Sequence, residues 1–284
     1  MQLKSAIDAA YELLVANDVP SPRLNAELLL MFVLGRERAY LYAHPERELS
    51  AEEQYRYDQV IQERAQGCPT QYITGHQEFW GLDLLVSPAV LIPRPETEHV
   101  VETVLELVKE LPLDPVGKLR IVDIGTGSGC IALAVASELP QAEVHASDVS
   151  PEALEIARVN AARFALDLRI RFLKSDLLAA YPRDTFDFVV SNPPYVGELE
   201  ADKVQKQVRE YEPRIAVFSG QEGLDVYRRL IPQAQAALKP GGWLVMEIGF
   251  SSEASVKELL TGWEDVRVTP DLQGIPRVIA ARKP

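Results

Sequence analysis

The sequence predicts an α/β chain: a mostly parallel sheet wound by helices on both faces, with a small helical unit ahead of it. Two observations carry this. Before residue 67 apolar residues recur at helical spacing, and after Lys118 short apolar runs alternate with helical stretches. The first pattern is that of packed helices, the second that of parallel strands joined by helices. A third observation locates the ligand end. A glycine-dense turn at 125–129 joins the first apolar run to its helix, and in such sheets ligands sit outside the carboxyl ends of the strands, where the strand order reverses.

Each element has a local reason. Ile7, Ala10, Tyr11, Leu14 and Val15 give the first helix its apolar stripe. Ser21-Pro22 reads as an N-cap followed by proline at the first helical position. Leu24, Leu28, Met31, Phe32 and Leu34 are then expected to face inward, with Gly35 ending the helix. Ser50 and Glu53 have the spacing of a capping box, in which each side chain satisfies the other's free backbone N–H. That helix is expected to run to Gly67, with Pro69 just beyond. Residues 77–80 and 82–86 flank Gly81 as a β-hairpin, and Pro88, Pro93 and Pro95 stiffen the stretch after it. A helix is expected from about Pro95 to Leu111. Seven strands are expected at 120–124, 143–147, 169–173, 186–190, 243–248, 266–268 and 278–280, and Ser150-Pro151 caps the helix after the second of them. The chain thus divides into a helical unit (1–70), a hairpin linker (71–94) and a larger α/β domain (95–284).

Composition narrows the function. The chain has 284 residues, 29 basic and 42 acidic side chains, and a formal charge of −13. Gripping bare phosphate backbone rests on clustered Lys and Arg, so that task is disfavoured. The first 75 residues alone carry 7 basic and 11 acidic side chains, so the helical unit is not a basic arm. Two cysteines, Cys68 and Cys130, are too few for a disulfide framework or a zinc site. The four histidines, His44, His76, His99 and His145, are scattered, so no metal is expected. No apolar run reaches the ~18 residues of a membrane span. A soluble cytoplasmic protein is the expectation.

The glycine turn reads Asp123-Ile124-Gly125-Thr126-Gly127-Ser128-Gly129. Glycines let a backbone turn tightly and approach a ligand closely. A dinucleotide fingerprint would need its third glycine at 130, which is Cys. Asp148 ends the second strand, where an acid can accept both hydroxyl protons of a ribose or simply sit favourably at a helix N-terminus. Asp176 comes after the third strand. Its carboxylate suits an exocyclic adenine amine, with Leu177 packed on the ring, or an ordinary solvated loop.

Asn192-Pro193-Pro194-Tyr195 directly follows the fourth strand and is the most specific signal in the chain. The prolines remove two N–H donors and fix φ, leaving a stiff rim with free carbonyls. The Asn192 side-chain oxygen and the Pro193 carbonyl can each take one hydrogen of a planar NH₂ group, on which Tyr195 can stack. An amide or aniline-like nitrogen is a weak nucleophile. Two acceptors on its hydrogens hold it in line with an electrophilic methyl group and stabilise the positive charge that develops.

Together these residues resemble class I methyltransferases, and one branch in particular, the release-factor glutamine methyltransferases of the PrmC/HemK type. The likeness spans nearly the whole chain. It includes Gly75-His76-Gln77-Glu78-Phe79, Arg94-Pro95-Glu96-Thr97-Glu98, Glu212-Pro213-Arg214 and Gly223-Leu224-Asp225. The resemblance implies a Rossmann-like seven-stranded sheet, S-adenosyl-L-methionine as cofactor, and methylation of the glutamine in the Gly-Gly-Gln motif of peptide-chain release factors. By position it implies that Gly125, Thr126, Gly127, Ser128 and Gly129 hold the cofactor's methionine part. It further implies that Asp148 binds the ribose, and that Asp176 and Leu177 flank the adenine. Asn192, Pro193, Pro194 and Tyr195 would grip the glutamine, with Asn192 also beside the cofactor and Phe79 near the reactive methyl. The 94–98 stretch is expected along the same pocket, although a cluster of helix-start acids explains Glu96 and Glu98 as well. Glu212 and Arg214 are expected to pair with each other. The helical unit looks like the family's substrate-recognition domain. The same Asn-Pro-Pro-Tyr logic would suit an adenine-amino methyltransferase on DNA or RNA, which the charge disfavours. A cofactor-binding module without catalysis would not need the intact 192–195 motif.

Overall fold

The computed structural model describes residues 1–111 and 118–284. In chain order the helices are α1 (Leu3–Ala16), α2 (Pro22–Leu34), α3 (Arg38–Ala43), α4 (Ala51–Ala65), α5 (Thr70–Thr74), α6 (Glu98–Glu110), α7 (Cys130–Glu138), α8 (Pro151–Arg163), α9 (Lys206–Tyr211), α10 (Arg214–Val217), α11 (Asp225–Ala237) and α12 (Glu253–Leu259). The strands are β1 (His76–Phe79), β2 (Leu82–Leu85), β3 (Arg120–Ile124), β4 (Glu143–Asp148), β5 (Ile170–Lys174), β6 (Phe186–Ser191), β7 (Leu238–Glu247), β8 (Glu264–Pro270) and β9 (Pro276–Arg282). The described residues fall into two compact units, 1–76 with 206–211 and 77–205 with 212–284.

The first unit packs α1 to α5 around Leu3, Ile7, Leu14, Leu29, Leu30, Tyr57 and Ile61. The Ser50–Glu53 capping box forms with both reciprocal bonds present. Ser21 differs from expectation. Its backbone is left-handed (φ 50°) and its hydroxyl makes no cap; the Asn25 amide donates to the Pro20 and Ser21 carbonyls instead. The inward face of α2 also differs. Ala26, Leu29, Leu30 and Val33 are buried, while Leu24, Leu28 and Phe32 are 43%, 37% and 40% exposed. The cause is the near-continuous apolar run, which marks no polar side to set the helix rotation. Its acid, Glu27, points inward and accepts from Arg23, Arg38 and Tyr42. Buried Arg64 of α4 donates to the Asn25 side chain, the Cys68 carbonyl and Gln207 of α9 at 2.9, 3.1 and 3.0 Å. The Tyr211 hydroxyl adds a bond to the Gln66 carbonyl. A segment some 130 residues downstream therefore completes this unit.

The second unit is built on a seven-stranded sheet of order β5-β4-β3-β6-β7-β9-β8. Every neighbouring pair is parallel except the two that involve β9. Successive strand residues feed opposite cores. Ile121, Val144, Phe188 and Val245 pack with α6 and α7, while Val122, Val189, Leu244 and Met246 pack with α11 and α12. Burial on both faces is why these strands read as near-continuous apolar runs rather than alternating ones. The hairpin turns on Trp80 (φ 55°) and Gly81 (φ 72°), the double positive φ that matches strand twist in a two-residue turn. Fully buried Asn160 of α8 bonds both backbone groups of Leu85 and the Ser128 carbonyl. One amide thus ties the hairpin to the glycine turn. β3 pairs with β4 on one side and β6 on the other, so the strand order reverses beside β3. Among the described residues no helix is long and apolar enough to cross a membrane, and no group of His, Cys, Asp or Glu could hold a metal ion.

Candidate active site

A cavity of about 340 Å³ opens at that reversal. Its wall includes Gly125, Thr126, Gly127 and Ser128 after β3, Asp148 at the end of β4, Asp176 and Leu177 after β5, and Asn192 and Pro194 after β6. Ala89 to Leu91, Pro93, Thr97, Pro213, Ile215 and Ala216 close it from other stretches of the same unit. The carboxyl ends of successive parallel strands thus bring together most of the residues singled out from sequence.

The glycine turn is fixed from below. The N–H groups of Gly125 and Thr126 both donate to the Ser147 carbonyl, at 2.9 and 3.0 Å. Gly125 and Gly127 hold φ of 70° and 55°, a region that residues with a Cβ rarely enter. Asp148 accepts from the Gly127 N–H on Oδ2 and the Ser150 N–H on Oδ1, at 3.0 and 2.9 Å. One bond on each oxygen locks the carboxylate and leaves further lone pairs for a ligand. Burial raises its pKa, and the two N–H bonds oppose that rise. Beneath the turn, buried Asp123 accepts from the Thr126 hydroxyl and the Ala132 N–H, while its Oδ1 has no partner. Burial pushes its carboxyl up to about 7.

Gly129 does not belong to the cavity wall. A Cβ there would lie 3.2 Å from both the Ala157 Cβ and Leu133 Cδ1, at φ +87°. Its smallness serves the packing of α7 on α8. Gly129→Ala should therefore destabilise the fold by about 1–3 kcal/mol through backbone strain and crowding. Urea denaturation checks this, and an unchanged midpoint would show that α8 yields.

The 192–195 motif is held by a buried carboxylate. The Asn192 amide nitrogen donates to the Thr97 hydroxyl at 3.0 Å, and Thr97 donates to Glu247 Oε2 at 2.6 Å. The Tyr195 hydroxyl donates to Glu247 Oε1 at 3.1 Å. Glu247 is 2% exposed at the end of β7. Burial pushes its pKa up to about 6, against the pull of the two hydroxyls. Burial and the neighbouring Glu247 charge drive the Tyr195 phenol pKa strongly upward. Two glycines let the chain pass close to the motif: a Cβ on Gly223 would sit 2.2 Å from the Tyr195 carbonyl oxygen, and one on Gly249 would sit 3.0 Å from the Tyr195 ring. Neither Pro193 nor Tyr195 is part of the wall, which Asn192 and Pro194 form for the motif.

Phe79 is 1% exposed in the core with α6 and α7. It is the inward residue of β1 and is not among the residues of the cavity wall. Of residues 94–98 only Thr97 reaches the wall; Glu98 accepts the Trp80 N–H at 2.9 Å and so holds the hairpin. Glu212 pairs with Arg94 and accepts the Ile92 N–H, rather than pairing with Arg214. Arg214 instead grips Glu198 with one nitrogen on both oxygens. Asp176 meets Arg229 at 2.5 Å, with both side chains more than half exposed, a pairing too weak to lock either one. Sequence reasoning missed Glu247, Thr97 in its bonded role, and Arg229. The available signal for Glu247 was a lone acid closing the apolar run Trp243-Leu244-Val245-Met246.

The chain is similar to known proteins over its whole length. Residues 5–75 match the family model of the PrmC N-terminal domain, and residues 103–210 that of the methyltransferase small domain. The chain is 57% identical over 286 residues to the release factor glutamine methyltransferase of Koribacter versatilis, covering 100% of this chain and 99% of that one. It is 44% identical over 284 residues to that of Moorella thermoacetica, covering 99% and 98%. Among solved structures, the N-terminal domain of human METTL16 in complex with SAH shares the fold, with a TM-score of 0.52, 22% identity and 79% and 82% coverage. With both family models matched in order and more than half of all positions identical to a full-length relative, the chain belongs to the release factor glutamine methyltransferase family.

Proposed function

We propose that this protein methylates the side-chain amide nitrogen of the glutamine in the Gly-Gly-Gln motif of peptide-chain release factors, with S-adenosyl-L-methionine as donor. The observation that carries this reading is Asn192 on the cavity wall, its amide nitrogen committed to Thr97. That leaves Oδ1 as the end that takes hydrogens from a ligand.

The residues present fit the donor. Asp148, braced by two N–H groups, offers its remaining lone pairs to ribose hydroxyls. Asp176 and Leu177, on the same wall, would flank the adenine, and residues 125–128 would hold the methionine part. The donor, when bound, supplies an electrophilic methyl carbon on a sulfonium.

The chain's task is then to hold a poor nucleophile. Asn192 Oδ1, on the wall, would accept one hydrogen of the glutamine NH₂. The carbonyl of Pro193, which lies between the wall residues Asn192 and Pro194 in the chain, is proposed as the acceptor of the other, so that the nitrogen lone pair is aimed along one line. The rigid prolines keep both acceptors in place, and Tyr195 supports the amide plane. Pre-aimed acceptors stabilise positive charge as it grows on nitrogen. No strong base is required, because the nitrogen becomes acidic only after it is methylated, and its proton then passes to water.

The helical unit, 1–70, is proposed to recognise the release factor, and the cytoplasm is the compartment where that partner works. No direct nucleic-acid contact and no membrane contact is part of the reading. The formal charge of −13 weighs against an adenine-amino methyltransferase on DNA or RNA, as do the full-length relatives. The experiment supplies labelled donor with release factor, release factor bearing a substitution at that glutamine, DNA, and tRNA. Label is expected only on the intact release factor, at the glutamine. Label on either nucleic acid, or on the substituted factor, overturns the reading.

A further inference from the structure

We propose that Thr97 and Glu247 are positioning residues: their hydrogen-bond relay sets which end of the Asn192 amide faces the cavity, and so makes that position an acceptor of N–H groups. The inference rests on the proposed amide methylation and deepens it.

The relay is fixed by a count of protons. An ionised carboxylate can only accept, and a hydroxyl has a single proton to give. Glu247 receives two hydroxyls, Thr97 on Oε2 and Tyr195 on Oε1, at 2.6 and 3.1 Å. The Thr97 proton is thereby spent, and its oxygen presents only lone pairs to Asn192. The group 3.0 Å away must be the amide nitrogen. Turning the amide over would set oxygen against oxygen. Thr97 and Glu247 are 1% and 2% exposed, so water cannot step in to rescue the turned form. The Asn192 oxygen is left for the cavity, where a substrate NH₂ can donate to it and a carboxylate cannot. Asn192, Tyr195 and Thr97 are drawn from two separate stretches of chain, and one acid aligns all three. A fully buried carboxylate is costly unless paired, and Glu247 accepts from the Thr97 and Tyr195 hydroxyls.

Three variants test this. Thr97→Val keeps the shape and loses the hydroxyl. Its kcat should fall on the order of tenfold to a hundredfold, the scale on which removing an outer partner affects an oriented group, with the KM for donor unchanged. Thr97→Ser restores the hydroxyl and should recover kcat to within about threefold of the wild type. Glu247→Gln removes the buried charge but can no longer accept from both hydroxyls. It should keep or raise Tm while kcat falls as in Thr97→Val. A purely structural role predicts kcat following Tm, and that result overturns the relay. A second readout needs no turnover. The side-chain NH₂ resonance of Asn192 in ¹⁵N-Asn protein, assigned by its loss in Asn192→Asp, should shift in Thr97→Val and return in Thr97→Ser. An unmoved resonance overturns the relay whatever the substrate. If the wild type leaves the release-factor glutamine unlabelled while the resonance behaves as expected, the relay stands and the substrate assignment falls.

Discussion

Asn192→Ala is expected to lower turnover at least a hundredfold while leaving donor affinity within about threefold of the wild type, since one pre-aimed polar group is commonly worth ~10²–10³ in rate. The substitution removes an acceptor that acts on the substrate amide. It leaves the glycine turn and Asp148, which bear on the donor, as they are. The loss should fall on kcat rather than on donor binding, because the interaction strengthens as charge develops on nitrogen. Single-turnover transfer to release factor, paired with calorimetric titration of the donor, separates the two. Turnover like the wild type would remove Asn192 from the chemistry. Parallel loss of donor affinity would make it a donor-binding residue instead.

Asp148→Ala should do the opposite. Hydrogen bonds to a charged group are each worth about 1.5–3 kcal/mol, so losing two ribose hydroxyl contacts weakens donor binding about a hundredfold or more, at roughly 1.4 kcal/mol per factor of ten. Asp148 also anchors the Gly127 and Ser150 N–H groups, so the alanine variant loosens the turn as well. Asp148→Asn keeps one of the two acceptors for the backbone while removing the charge, and should show an intermediate loss. Affinity equal to the wild type by calorimetry in both variants would remove Asp148 from the ribose site.

Much of this was legible in the sequence because the relevant physics is local. The strands of a doubly covered sheet must be apolar runs, and the turns at their carboxyl ends must carry whatever the ligand needs. Gly125, Gly127, Asp148, Asp176, Leu177, Asn192 and Pro194 all lie at or just beyond strand ends, and all reach one cavity. What the sequence hides is non-local. Phe79 sits in a motif beside a turn, yet strand alternation sends its ring into the core. Gly129 has the spacing of its neighbours, and only the approach of Ala157 shows that its smallness serves packing. The rotation of α2 was hidden by a run with no polar side, and by an acid that is buried because three partners satisfy it. Glu247 was unreadable for the same reason. Its role depends on Thr97 and Tyr195, 150 and 52 positions away.

The helix Lys206–Tyr211 makes the N-terminal unit discontinuous in the gene. Arg64 is buried with Gln207 as one of its partners, so a recombination breakpoint near residue 76 cuts through a folded unit rather than between two. A chimera that transplants residues 1–76 onto another methyltransferase would leave that guanidinium short of a partner in the new host. The graft becomes whole only when residues 206–211 travel with it.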